Sequence, residues 1–219
     1  MGNPRPEGDS AYEIAVLLSA EVMSLTLFGC EKTKEEVKLK TAEQSKEYVS
    51  KNLPAASYER EEKGDDKITY IFKDELCGFE FEVVSEKGKS YFDATVVGYE
   101  EKTSDNWSKA YYDYLKGKVT EGAGTLISEN GFKTEWSENI GLSTFMYIGT
   151  DKSIEELTLV LKELGAIAKA ADKHGKLTGH EIWCSSGEDI TKYDDVYAFY
   201  RFDTDEVLDK PAREAAVKN

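Results

Sequence analysis

The chain has 219 residues, with 28 Lys and Arg against 43 Asp and Glu for a net charge of −15, and 40% of it is hydrophobic. This length suits one domain with a sizeable core better than two small ones. The acidity opposes binding to nucleic acid or to anionic membrane surfaces, because like charges repel.

The first element is an apolar run, Ile14 to Phe28, closed by Gly29 and Cys30 and followed at once by the charged stretch Glu31-Lys32-Thr33-Lys34-Glu35-Glu36. A run of about sixteen residues is short for a membrane-spanning helix, which needs roughly 20, and matches the apolar core of an export signal. Leu27-Phe28-Gly29-Cys30 resembles the lipobox of bacterial lipoproteins. That resemblance implies an export signal over residues 1–29, lipidation of Cys30, a charged tether over 30–40, and attachment to the extracytoplasmic face of the cell membrane. Two acyl chains on Cys30 would hold stably where one holds only marginally. Losing residues 1–29 removes Arg5 and four carboxylates, which changes the net charge from −15 to −12. The sequence departs from the pattern twice. Glu21 interrupts the apolar run at a cost of about 3 kcal/mol at a bilayer centre, and Arg5 is outnumbered by Glu7 and Asp9 where a signal normally begins positive. An uncleaved anchor and a buried core helix are the alternative readings of the same residues.

Beyond the tether, Thr41 and Gln44 have the spacing of a capping box, and Ala42, Ser45, Tyr48, Val49 and Leu53 fall on one helical face that Pro54 ends. Residues 57–61, 67–73 and 76–84 read as strands, with Phe79, Phe81 and Val83 alternating against Glu80 and Glu82. A turn at Glu86-Lys87-Gly88-Lys89 is expected to lead into a fourth strand over 91–99, completing an antiparallel meander. Asp105 can cap a helix bearing Trp107, Tyr111, Tyr114 and Leu115, a stripe expected to pack on the sheet. Gly117, Gly122 and Gly124 each cost about 1 kcal/mol inside a helix relative to alanine, which predicts a break there. Strands follow over 132–136 and 142–148. Ser153 and Glu156 form a second capping box, opening a helix with Ile154, Leu157, Leu161, Leu164 and Ala168 inward and closing at His174-Gly175. Strands over 181–184 and 196–202 finish the sheet.

The resulting fold class is α+β: a mainly antiparallel sheet of about eight strands with three to four helices packed on it, in two halves that each run helix then strands. It forms a single domain over 41–204, with residues 205–219 as a short exposed helix or frayed tail. The helix carrying Tyr48, Val49 and Leu53-Pro54, the strand with Phe79 and Phe81, and Ser104-Asp105-Asn106-Trp107 opening an aromatic helix together resemble function-unknown lipoproteins of anaerobic Gram-positive bacteria. The resemblance implies an extracytoplasmic domain with no assigned activity.

Candidate chemistry is sparse. His174 and His180 lack the i, i+4 spacing of a helical metal pair and have no Cys-x-x-Cys partner, so no metal ligand set is read, and His174 is expected to face its helix dipole. With Cys30 lipidated, Cys77 and Cys184 remain as a candidate disulfide closing a loop of about a hundred residues, with about 4 kcal/mol of stabilisation in the chain-entropy model. Cys184 and His180 share strand parity, but a core or disulfide role for the cysteine outweighs a nucleophilic one. Ser185-Ser186-Gly187 lacks the nucleophile-elbow pattern, Gly122-x-Gly124 belongs to no complete phosphate fingerprint, and Asp203-Thr204-Asp205 lacks the rest of a calcium loop. Catalytic residues and cofactors are therefore assigned as none. Acidic pairs such as Glu80 and Glu82, Glu100 and Glu101, or Asp194 and Asp195 leave an exported carboxylate hydrolase open. Thirteen tyrosines and three tryptophans favour instead a binding domain for a protein or glycan, with Trp136 and Tyr147 as the candidate ligand surface. An acidic immunity-type protein that neutralises a toxin is the third reading.

Overall fold

The structure, a computed structural model, describes residues 36–138 and 143–217. The expected export signal, Cys30 and the tether up to residue 35 lie outside the described residues. Every element below lies in one compact unit, Leu39–Asn219.

Helix α1 (Ala42–Asn52) begins with the expected box, Thr41 Oγ1 accepting from Gln44 N at 3.3 Å while Gln44 Oε1 accepts from Thr41 N at 2.9 Å. Four strands follow as an antiparallel meander in the order β1-β2-β3-β4: β1 (Ala56–Lys63), β2 (Lys67–Asp74), β3 (Glu80–Phe92) and β4 (Thr95–Asp105). The period-2 pattern sets the buried face, because Tyr70 pairs with Val83 and Phe72 with Phe81, and all four are buried.

The expected turn at residues 86–89 does not form. Strand β3 continues through it, with Gly88 opposite Glu100, and reverses only at Asp93-Ala94, where both residues take positive φ of 45° and 62°. The physical reason lies across the strand. A Cβ on Gly88 would lie 2.3 Å from Lys102 Cδ, so the glycine makes room for the Lys102 stem and is not a chain reversal.

Helix α2 (Trp107–Glu129) is also longer than expected and runs unbroken past Gly117, Gly122 and Gly124. A Cβ on Gly122 would lie 2.8 Å from Ile167 Cγ2, so this glycine lets α2 and its neighbour α3 approach closely, whereas Gly117 and Gly124 face open space. Tertiary packing along the buried stripe of Trp107, Tyr111, Leu115, Val119 and Ala123 outweighs the glycine cost.

The second sheet has the order β5-β6-β7-β8-β9: β5 (Lys133–Trp136), β6 (Thr144–Gly149), β7 (Glu181–Ser185), β8 (Val196–Arg201) and β9 (Glu206–Asp209). Strands β6 and β7 are parallel, joined by α3 (Ile154–Ala171), and the other pairs are antiparallel. The two halves are therefore unlike: a pure meander first, a sheet with one helical crossover second. Helix α3 has the second expected capping box at Ser153 and Glu156 but stops at Ala171, with Asp172 as its C-cap. The last segment is more than a frayed tail. Strand β9 pairs with β8, and the short helix α4 (Lys210–Val217) is pinned by Arg213, which lies 5.2 Å from the Phe199 ring and 3.2 Å from Glu181 Oε2.

The protein is thus α+β with two sheets. One continuous hydrophobic core runs from Val49 and Phe72 through the α2 aromatics to Leu161 and Tyr200. Among the described residues no helix is long and apolar enough to cross a membrane.

Candidate functional site

Three segments converge on the carboxylate of Asp74, at the end of β2. The chain turns immediately after it, through Gly78 at φ +77°, so that Leu76 N and Cys77 N donate to Asp74 Oδ1 at 3.1 and 2.8 Å. Trp107 Nε1, at the start of α2, donates to Oδ2 at 3.2 Å. His174 arrives from the loop after α3, its Nε2 lying 3.2 and 3.0 Å from Oδ1 and Oδ2. The expectation that His174 would face its helix dipole is therefore corrected, since its ring is turned to a residue 100 positions away.

The loop is shaped to present it. The Asp172 carboxylate accepts from Lys176 N at 2.9 Å, from Leu177 N at 2.7 Å and from the Tyr111 hydroxyl, and that hydroxyl in turn accepts from His174 N at 3.0 Å. The imidazole stands edge-on to Trp107 and Tyr111, with ring centroids 5.2 and 4.9 Å away. Phe79 closes the wall against Trp107, Tyr111 and Tyr114.

Asp74 is buried, with none of its side chain exposed, and His174 exposes 11% of its side chain. Burial alone would raise the Asp74 pKa, but the Cys77 amide, His174 and Trp107 outweigh it and hold the carboxyl below its usual range. Cys77 is half-buried beside it, and burial and the Asp74 charge push its thiol up. A protonated thiol is a poor nucleophile, so this Cys, His and Asp grouping does not have the electrostatics of a thiol protease. Each residue nevertheless offers one donor atom, and the three atoms lie within 4.8 Å of one another, the only such grouping of metal-ligating side chains among the described residues.

A second feature is the outer part of the β3–β4 hairpin. Strand β2 pairs with β3 no further than Glu86, and Lys87 N donates to Asp66 O, so the two-stranded ribbon from Gly88 to Glu100 continues past the sheet with β3 and β4 paired to each other. Near its tip Tyr91, Phe92, Val96, Val97 and Tyr99 are exposed, Phe92 by 75%. Tyr91 and its cross-strand partner Val96 lie on one face of the ribbon and Phe92 on the other, so the tip is apolar on both faces, an exposure of the kind that marks interaction surfaces. The sequence does not show it, because Tyr91 and Phe92 fit a sheet-bound strand equally well and only the cross-strand register separates the two.

The remaining expected sites do not come together. Cys77 lies in the β2–β3 turn and Cys184 in the centre of the second sheet; both are free thiols, so the expected disulfide is not formed. Burial raises the Cys184 thiol to about 12, as befits an inert core cysteine. Trp136 and Tyr147 lie on opposite faces of the second sheet, since Trp136 pairs with Met146 and Tyr147 with Glu135. Each is half-buried, Trp136 against Phe145 and Tyr147 against Trp183. They cannot form one ligand surface.

A cleft of about 470 Å³ opens at the C-terminal ends of the parallel strands β6 and β7, lined by Asn130, Lys133, Thr150, Lys152, Glu156 and Ser185 among others. It suggests an anion site at the start of α3, but Ser153 and Glu156 already cap that helix. Bonds from Ser153 Oγ and Ser153 N hold the Glu156 carboxyl below its usual range, so an incoming anion would meet a negative charge.

No protein-family model, no curated protein and no solved structure matches this chain.

Proposed function

We propose that the chain is a lipid-anchored extracytoplasmic binding domain, held to the membrane through Cys30, that engages a partner protein with the β3–β4 hairpin. The observation that carries the reading is the exposed apolar tip of that hairpin on an otherwise charged molecule. Strand β4 is the last of its sheet, and no described strand pairs with its outer edge. An extended segment of the partner can add to this edge through main-chain hydrogen bonds, with Tyr91, Phe92, Val96 and Val97 supplying apolar contact. The net charge of −12 that remains once residues 1–29 are removed favours a basic partner segment and steers its approach.

The hydrolase reading has less support. A general acid needs a raised carboxyl pKa, whereas the carboxylates that the structure displaces, Glu47, Asp74, Glu101, Glu156, Asp189 and Asp205, are all displaced downwards.

A photo-crosslinking residue at position 92 of the full chain, in membranes of an expressing bacterium, tests the proposal. A discrete adduct with another protein is expected at position 92 and none from position 162 on α3, and Cys30→Ser should move the chain out of the membrane fraction. Equal labelling at both positions refutes the hairpin as the contact, an adduct of twice the chain mass turns the reading into self-association, and an unmoved Cys30→Ser variant refutes the anchor.

A further inference from the structure

We infer that Asp74, Cys77 and His174 form a binding site for one divalent cation of the zinc class, coordinated by a carboxylate oxygen, a thiolate and Nε2, with a fourth position left to water or to an external ligand. The donor set carries the chemistry. A mixture of thiolate, imidazole and carboxylate suits a borderline-soft cation and does not suit magnesium or calcium, which take oxygen ligands.

The geometry is close to what such an ion needs. Around zinc bound at its usual ligand distances, neighbouring donor atoms sit roughly 3.3–3.8 Å apart. Asp74 Oδ2 and His174 Nε2 are already 3.0 Å apart, and the three donor atoms fall within 4.8 Å. The remaining contraction falls on Cys77, whose side chain leaves a half-exposed turn and can swing without disturbing a strand. The surroundings are those of an oriented ligand shell. Two backbone N–H groups and Trp107 Nε1 fix the carboxylate, and the Tyr111 hydroxyl fixes the His174 backbone, so neither ligand must be reorganised when the ion arrives. The turn itself serves the purpose, since Asp74-x-x-Cys77-Gly78 aims two amide N–H groups back at its first ligand and places its second ligand beside it.

Binding replaces the Cys77 S–H bond by a sulfur–metal bond and the Nε2 hydrogen bond to Asp74 by a nitrogen–metal bond; the thiol proton is released to water, and the imidazole keeps or takes its proton on Nδ1. Because the ligands come from the end of β2, the β2–β3 turn and the loop after α3, the ion would join the first sheet to the crossover of the second.

The test uses the full chain carrying Cys30→Ser and Cys184→Ala, in which Cys77 is the only thiol, titrated with Co²⁺ alone and then with Zn²⁺ alone. Expected are one equivalent of Co²⁺ bound, visible bands of tetrahedral intensity with a near-ultraviolet thiolate-to-cobalt band, and bleaching of both by Zn²⁺. Release of at least one proton per metal should accompany binding, and the melting temperature should rise by roughly 5–10 °C when zinc exceeds its Kd a hundredfold. Cys77→Ser should abolish the near-ultraviolet band, and His174→Gln should weaken binding at least tenfold. Absence of the thiolate band at saturating Co²⁺ overturns the inference, as does a band that persists at equal affinity in a folded His174→Gln variant. If His174→Gln does not fold, Cys77→Ser decides: unchanged zinc affinity overturns the site, and its loss supports it.

Discussion

Glu101 ties Lys40, just ahead of α1, to the first sheet. Its carboxylate accepts from Lys40 Nζ at 2.7 Å, from Ser85 Oγ at 2.8 Å and from Thr103 Oγ1 at 2.6 Å, while Lys40 N donates to Ser85 and Tyr70 donates to the Lys40 carbonyl. Burial would raise the Glu101 pKa, but these bonds and the Lys40 charge hold it below the usual 4.5. Both partners are largely shielded, with 20% of the Glu101 side chain and 27% of Lys40 exposed, so the pair is more than a surface contact. Glu101→Gln is expected to cost about 1.5–3 kcal/mol at neutral pH, the worth of hydrogen bonds to a charged group. Because the folded pKa is depressed, this contribution is fully present above the ordinary carboxylate value and disappears as pH falls through the folded one. Urea unfolding at neutral pH and again well below pH 4.5 should show the gap between wild type and Glu101→Gln closing in acid. A gap of constant size would mean that the charge is not what matters. None of this network was legible in the sequence, nor was the meeting of Asp74 and His174, because the partners are 61 and 100 residues apart and no periodicity links them. The one local trace of the second was the Asp74-x-x-Cys77-Gly78 turn.

The elements themselves were legible wherever a local rule and the tertiary structure agree. Both capping boxes form as read, and the alternation of Phe81 and Val83 with Glu80 and Glu82 gives the buried and exposed faces of β3. Reading failed at glycines, whose local meaning as breakers is ambiguous. At Gly88 a cross-strand lysine needs the space, and at Gly122 a neighbouring helix does. This separates the three glycines of α2 by experiment. Gly117→Ala and Gly124→Ala add a methyl group where nothing lies within 4 Å, and each should stabilise the protein by about 0.5–1 kcal/mol through helix propensity alone. The two together should raise the melting temperature by roughly 3–6 °C for a domain of this size. Gly122→Ala drives its methyl group against Ile167 and should lose that gain or reverse it. If all three substitutions stabilise equally, α2 and α3 are not in the close contact described.

At the scale of the whole molecule the two sheets and their helices share one core, and the outer β3–β4 ribbon stands apart from it. The composition that signals a single acidic domain cannot show this, since a hairpin that projects into solvent and one that closes a core share the same alternating pattern. What distinguishes them is where the neighbouring strand stops, and β2 stops at Glu86. The ribbon should therefore be dispensable for folding. Residues 88–100 can be replaced by Asn-Gly, a two-residue turn suited to the observed pairing of Lys87 with Glu101, which keeps Glu101 for its bonds to Lys40. Such a variant is expected to melt within about 3 °C of the parent, the shift that 1 kcal/mol gives in a domain of this size. Hydrophobic-dye binding, expected of the parent from its exposed Tyr91, Phe92, Val96 and Val97, should be lost in the variant. A collapse in melting temperature would show that the ribbon is held by the body and serves its stability. Retention of stability with loss of the apolar surface would leave partner contact as the reason for exposing a 75% accessible phenylalanine on a chain of net charge −15.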